Sequence, residues 1–297
     1  MPESERQDFP SGSGSKDWQR RASRLGSIAI LAACVGFIGD RLIQLKPAQL
    51  LDHASWPLGA AMVTAPLLFA ASDKLLASVW SSLASANDVL PSHHIDAIYA
   101  RGVLAKYLPG SVFQYASRQV DGAAAGLAHK KLAKASAVEI ALHLPASMVA
   151  AASAIALTAS PAATLACGMG AMVAGLCSRD PVMRAGALQF AAFLCFGVAA
   201  AVVGAALLPT SAPLGLFSGL FLLSWLAGFL VPVAPGGLGV REAALIALAG
   251  TRFPDAPLLA SVLALRIASV LGDILFGTVA ILRFRLRGNV RSSIKSP

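Results

Sequence analysis

The sequence predicts an all-α polytopic membrane protein. It has about seven full spans, plus broken or re-entrant half-helices at Leu108–Gly110 and Pro235–Gly250. Three observations predict this. The chain is 56% hydrophobic and 13% charged over 297 residues, with a mean hydropathy of +0.68, too apolar for a water-soluble domain. Several apolar runs reach the ~18 residues that cross a bilayer. The basic residues gather at the two ends and in one internal segment, the distribution that the positive-inside rule produces. The net charge of +9 therefore speaks for topology and for attraction to anionic lipid, at roughly 1 kcal/mol per basic residue near the surface. It is not a nucleic-acid footprint. Within this length no fused soluble catalytic domain is expected.

The elements follow in order. Residues 1–24 are polar, carry Arg6, Lys16, Arg20, Arg21 and Arg24, and read as a disordered cytoplasmic tail. A single transmembrane domain is expected over 25–286 and a basic cytoplasmic tail over 287–297. No cleavable signal peptide is expected, since the first apolar run starts near Leu25 and carries Asp40-Arg41 near its far end. Leu25–Leu45 is the first span and Pro57–Trp80 the second. Asp73-Lys74 in its last third is expected at the interface, with the lysine stem snorkelling.

A long segment with Arg101, Lys106, Arg118, Lys130, Lys131 and Lys134 follows, its ends cytoplasmic. Ile95–Lys106 reads as a helix. Leu108-Pro109-Gly110 breaks it, and Ser111–Arg118 restarts it with Ser111 as a candidate N-cap. Ser136–Ala159, Pro161–Cys177, Ala185–Leu208 and Leu214–Val231 are the next spans. Pro235-Gly236-Gly237-Leu238-Gly239 then stops the chain, and Val240–Gly250 restarts it with Arg241 and Glu242 in the first turn. Ala256–Leu282 is the last span, and Arg283, Arg285, Arg287, Arg291 and Lys295 follow it. Both ends in the cytoplasm require an even number of crossings, so the restart after Pro235 is expected to cross as well or nearly so. Its helix of about 11 residues reaches only roughly 16 Å, half the hydrocarbon thickness, and the extended Pro-Gly-Gly lead-in would supply the rest. The alternative is a tight interhelical loop at the surface.

The two breaks share one pattern: Pro-Gly, a short helix, and an arginine in or just after its first turns. Paired interruptions of this kind point to a binding site at membrane depth and suggest an inverted repeat carried by pattern rather than residue identity. Broken backbone there is tolerated where protein buries it or a wet cavity receives it. Half-helix N-termini offer N–H groups and positive dipole ends to anions. Arg118, Arg241 and Arg266 are the candidate forks for a phosphate. Glu242 would hold Arg241 in the empty state or meet a cationic headgroup part. A purely structural Arg241–Glu242 pair is the other reading. Arg266 and Asp273 share one face of the last span, and a structural ion pair and a substrate role both fit them. Glu139 and His143, four residues apart, are a proton relay or, as the stronger expectation, an interfacial pair at the start of their span.

One His and one Glu make no metal site, and no cofactor is expected. Cys34, Cys167, Cys177 and Cys195 fall in apolar runs and read as buried small side chains. The Gly- and Ala-rich stretches Gly168-Met169-Gly170-Ala171 and Gly197–Ala206 argue for close helix packing and fit a monomer and a homo-oligomer alike.

Lys106-Tyr107-Leu108-Pro109-Gly110 with Arg118 resembles the first signature of the lysylphosphatidylglycerol synthase transmembrane family. Pro235-Gly236-Gly237-Leu238-Gly239-Val240-Arg241-Glu242-Ala243 with Arg266 resembles its second, and Glu139 matches an acidic position between them. Ser111 and Phe113 stand where relatives often have glycine and tryptophan. The resemblance implies a stand-alone flippase-like member in a bacterial-type cytoplasmic (inner) membrane, without the aminoacyl-transferase domain. Its substrate would be an anionic phospholipid or a polyprenyl-phosphate-linked headgroup. The implied binding residues are Pro109, Gly110, Arg118, Gly236, Gly237, Gly239, Arg241, Glu242 and Arg266, with Glu139 and Asp273 as supporting charges. A second reading is a non-transporting membrane partner of a glycosyltransferase or lipid-modifying enzyme. An intramembrane lipid enzyme fits less well, because no nucleophile with a positioned base and no paired metal carboxylates stand out.

Overall fold

The computed structural model describes residues 56–107, 113–231 and 234–293. Nine α-helices run through them: α1 Trp56–Leu83, α2 Ser92–Ala105, α3 Phe113–Ala124, α4 His129–Ala156, α5 Pro161–Cys177, α6 Pro181–Leu207, α7 Leu214–Leu230, α8 Val240–Ala249 and α9 Asp255–Ser293. No strand occurs among the described residues.

Four helices are long and apolar enough to cross a membrane: α1, α4, α6 and residues 255–287 of α9. The apolar helices α5 and α7 are shorter, at 17 residues each. At 1.5 Å per residue each extends about 25 Å, near the lower limit for a span. The protein is thus an all-α, multi-pass membrane protein. The expected span Leu25–Leu45, the tail 1–24 and Cys34 lie outside the described residues, as do Pro109, Gly110 and the proposed N-cap Ser111.

Punctuation along the chain has local causes. Pro161 and Pro181 open α5 and α6, where a missing N–H costs nothing. Asp180 caps α6 by accepting from the Val182 N–H at 2.8 Å. Helix α4 begins at His129, seven residues before the expected Ser136, and α9 continues to Ser293 through the segment expected to be a tail. In α4 a basic stretch free of Gly and Pro extends the apolar helix, and in α9 the basic stretch carries it past Gly288.

Helices α1, α6, α7 and α9 hold the main core, in which Phe69, Phe193, Phe196, Phe217 and Trp225 interleave. Phe69 meets Phe196 edge-on with ring centroids 4.9 Å apart, the favoured aromatic geometry. Glycines allow close helix approaches, Gly204 and Gly272 among them. A Cβ on Gly204 of α6 would lie 2.9 Å from the Phe217 ring on α7, and one on Gly272 of α9 would lie 2.8 Å from the Pro66 carbonyl on α1. Close packing through small residues therefore holds for Gly204. It fails for Gly168 and Gly170, beside which a Cβ would meet nothing. Helix α5 stands on the outside of the bundle, and Cys167 and Cys177 on it are exposed, not buried.

Candidate functional site

The second break explains its own sequence. Gly236, Gly237 and Gly239 have φ of +57°, +69° and +80°, a left-handed run that residues with a Cβ resist. The Gly237 N–H donates to the Ala234 carbonyl at 2.9 Å, closing the turn. Glu242 then reaches back, and its Oε2 accepts from the Gly239 N–H at 2.7 Å. This fastens the first turn of α8, whose own N–H groups have no helical partner upstream.

Arg241 leaves that turn through a slot between two glycines. A methyl on Gly228 of α7 would collide with its side chain, and one on Gly237 would lie 2.5 Å from its Nε. Its guanidinium lies over the Trp225 ring, 5.0 Å from the centroid. Arg118 on α3 is built the same way. It passes over Gly102 of α2, where a Cβ would lie 2.9 Å from its Cγ, and it stacks on Tyr99 and Tyr115 at 4.6 and 4.9 Å.

The two arginines differ in partners. Arg118 Nη1 donates to Glu139 Oε2 at 2.8 Å, with side-chain exposures of 5% and 1%, and Tyr99 donates its hydroxyl to Glu139 Oε1 at 2.9 Å. That site is closed. Arg241 forms no ion pair with a described residue, and its Nε is buried without a hydrogen-bond partner. Glu242 does not hold Arg241. It faces Arg266 of α9 across 3.6 Å, because its Oε2 is already turned back to Gly239. Arg266 Nη1 also donates to the Gly236 carbonyl at 3.2 Å, and its Nη2 is buried without a partner.

Asp273 is held from the opposite side of the site. Lys106 Nζ lies 2.8 Å from its Oδ2, and the Tyr107 hydroxyl donates to the same oxygen. Asp273 and Arg266 thus pair across the bundle with residues flanking the two breaks.

These groups enclose a cavity of about 340 Å³. Among the described residues four cationic side chains line it, Lys106, Arg118, Arg241 and Arg266, with three carboxylates, Asp73, Glu139 and Asp273. Gly236, Gly237 and the rings of Tyr107, His143, Trp225 and Phe229 complete much of the wall. Ile140 and Leu230, exposed large apolar residues, stand at its edge. Gly239 is not in the wall, and Glu242 sits behind it, on a small void of about 30 Å³ shared with Arg241 and Arg266. A larger cleft of about 730 Å³ runs along α5, and no charged side chain lines it.

Packing places two pairs of charged or titratable neighbours. Glu139 and His143 lie inside the bundle. They are 1% and 5% exposed, because the early start of α4 places them in its third and fourth turns, inside the bundle. The His143 Nδ1 lies 2.6 Å from the Glu139 carbonyl and meets the Gln189 amide, and its ring stacks on Trp225 and Phe229. Asp73 and Lys74 also separate. Neighbours on a helix point about 100° apart, so Lys74 turns outward to Asp96 while Asp73, 4% exposed, turns into the cavity. Asp73, Tyr99, Tyr115 and Trp225 are site residues outside the motifs, and Lys106 and Tyr107 belong to the first motif without a role assigned from sequence. For Asp73 a signal was present in its spacing with Phe69, Leu76 and Ala77 on the buried face of α1.

The fold and this site together define a multi-pass helical membrane protein with a polar, charge-lined cavity inside the bundle. Comparison of the chain with protein-family models and with curated proteins finds no match.

Proposed function

We propose that this protein is a flippase-like lipid translocator that admits an anionic headgroup, of a phospholipid or a polyprenyl phosphate, to the cavity beside α8. The observation that carries the reading is Arg241. A guanidinium with a buried, unpartnered Nε beside a second unpartnered nitrogen on Arg266 is a costly arrangement in an empty site. A phosphate oxygen pair supplies the missing acceptors in the fork geometry that guanidinium prefers. The apolar residues Ile140 and Leu230 at the cavity edge suit a ligand whose chains stay in the bilayer while its headgroup enters.

Each part then has a role. Arg241 and Arg266 receive the phosphate. Gly236 and Gly237 let the backbone come close, and the first turn of α8 adds N–H groups and a positive dipole end. Glu242 fixes that turn and moderates Arg266. The Arg118–Glu139 pair and the Lys106–Asp273 pair hold the wall. Pro109 and Gly110 would complete the matching break. The motif resemblance to the lysylphosphatidylglycerol synthase transmembrane family agrees with this reading. The proposal includes a topology of seven full spans with two half-helices, both termini cytoplasmic, in a bacterial-type inner membrane.

A second reading, a non-transporting partner of a glycosyltransferase or lipid-modifying enzyme, is favoured by α5, on which only Gly175 is buried. Mass spectrometry of lipids that copurify in mild detergent tests the headgroup site. One anionic lipid, enriched over the bulk membrane and lost in Arg241→Ala, is the expected result. A profile that mirrors the bulk membrane in both proteins counts against the site and leaves the partner reading.

A further inference from the structure

Among the described residues, Asp73 is the one cavity carboxylate that no cation or donor holds. Glu139 has Arg118 and Tyr99, and Asp273 has Lys106 and Tyr107. Asp73 is 4% exposed, and its Oδ2 is buried with no hydrogen-bond partner. Its side chain lines the same cavity as Asp273, one helical turn beyond the Phe69 against which Gly272 packs. The helix crossing accounts for this placement. Gly272 seats α9 against Pro66 and Phe69 of α1, which brings the next residue on α9 toward the next turn of α1.

A buried carboxylate that no donor holds is costly as a free ion, the more so with a second carboxylate in the same cavity. Of the other groups around them, Arg241 and the Nη2 of Arg266 stay open toward α7 and α8, and the rest are committed. Lys106 is bound to Asp273, Arg118 to Glu139, and the His143 ring to the Glu139 carbonyl and Gln189. Tyr99 donates to Glu139, and α6 contributes only Phe196 to this wall.

We infer that Asp73 and Asp273 share one proton, and that this proton and an anion at Arg241 occupy the cavity together, so that the protein couples proton binding to headgroup binding. The inference rests on the anion site proposed above. The charges balance in one way. Without the shared proton the four cations meet Asp73, Glu139, Asp273 and, through Arg266, Glu242, and an incoming anion leaves one negative charge in excess. With the proton on the pair, a singly charged headgroup makes the cavity neutral. The proton comes from water on the side where the anion enters and leaves with it. By linkage each ligand raises the other's affinity by the same factor.

The test is calorimetric titration of the purified full-length protein with dihexanoyl phosphatidylglycerol between pH 6 and 9. The phosphodiester keeps its single charge throughout. Wild type is expected to bind less tightly as pH rises, approaching tenfold per pH unit where the pair titrates, with proton uptake read from the dependence of the heat on buffer ionisation. Asp73→Asn is expected to bind with the acid-limb affinity of wild type at every pH. A flat wild-type profile with intact binding overturns the coupling and leaves the anion site standing. The wild-type slope persisting in Asp73→Asn also overturns it. Absence of binding at any pH overturns the anion site and the coupling together.

Discussion

Arg118 and Glu139 form a 2.8 Å ion pair between two side chains that are 5% and 1% exposed, roofed by Tyr99 and Tyr115. Arg241 has the same glycine slot and an aromatic platform of its own, but no such carboxylate. One break of the chain therefore carries a closed pair and the other an open guanidinium. The architecture assigns them different work.

The proposed site gives the closed pair a structural part. Glu139→Gln strips Arg118 of its counter-charge in the interior, and the expected loss is about 3–5 kcal/mol. Thermal unfolding in detergent reads it. Arg118→Met combined with Glu139→Leu is expected to recover much of that loss, since no buried charge remains alone. A Glu139→Gln protein as stable as wild type contradicts this assignment.

The slot around Arg241 is a positioning device. Gly237→Ala places a methyl against its Nε at a φ of +69°. A stability cost of more than about 1 kcal/mol is expected, together with loss of anion binding in the same calorimetric titration. Retained affinity in a folded Gly237→Ala protein would show that the guanidinium need not lie in the slot.

Glu242 moderates the site. Glu242→Gln keeps an acceptor for the Gly239 N–H but removes the negative charge 3.6 Å from Arg266. The anion is expected to bind about fivefold more tightly, the equivalent of about 1 kcal/mol. Weaker binding with α8 intact by circular dichroism would mean that Glu242 positions Arg266 rather than competing for it.

Gly272 controls the approach of α9 to α1. Gly272→Leu drives a side chain into Phe69 and the Pro66 carbonyl, an overpacking cost of about 1–3 kcal/mol. By parting Asp73 from Asp273 it is also expected to flatten the pH dependence of binding. A Gly272→Leu protein with wild-type stability and pH profile would contradict the crossing.

The motifs made half of this site legible. Pro235-Gly236-Gly237 announces a break because its residues cannot continue a helix, and Arg241, Arg266 and Asp273 stand out as charges in apolar surroundings. Partner choice was not legible. The adjacency of Arg241 and Glu242 suggests a pair, yet helix geometry and the Gly239 N–H turn Glu242 to other partners. Asp73-Lys74 reads as a neutral interfacial dipeptide until packing sends its two side chains to opposite faces. Tyr99 and Trp225 are ordinary aromatics in sequence, and only the bundle stacks them on guanidinium groups.

The most direct measurement is lipid movement by the purified protein. Liposomes carrying an NBD-labelled phosphatidylglycerol are reconstituted with wild type or Arg241→Ala, and dithionite quenches the label exposed on the outside. Wild type is expected to bring inner-leaflet label to the outside, beyond protein-free vesicles, with the rate in Arg241→Ala reduced at least about tenfold, as loss of about 1.4 kcal/mol at the phosphate would produce. Wild-type vesicles no different from protein-free ones, or Arg241→Ala as active as wild type, would contradict the account.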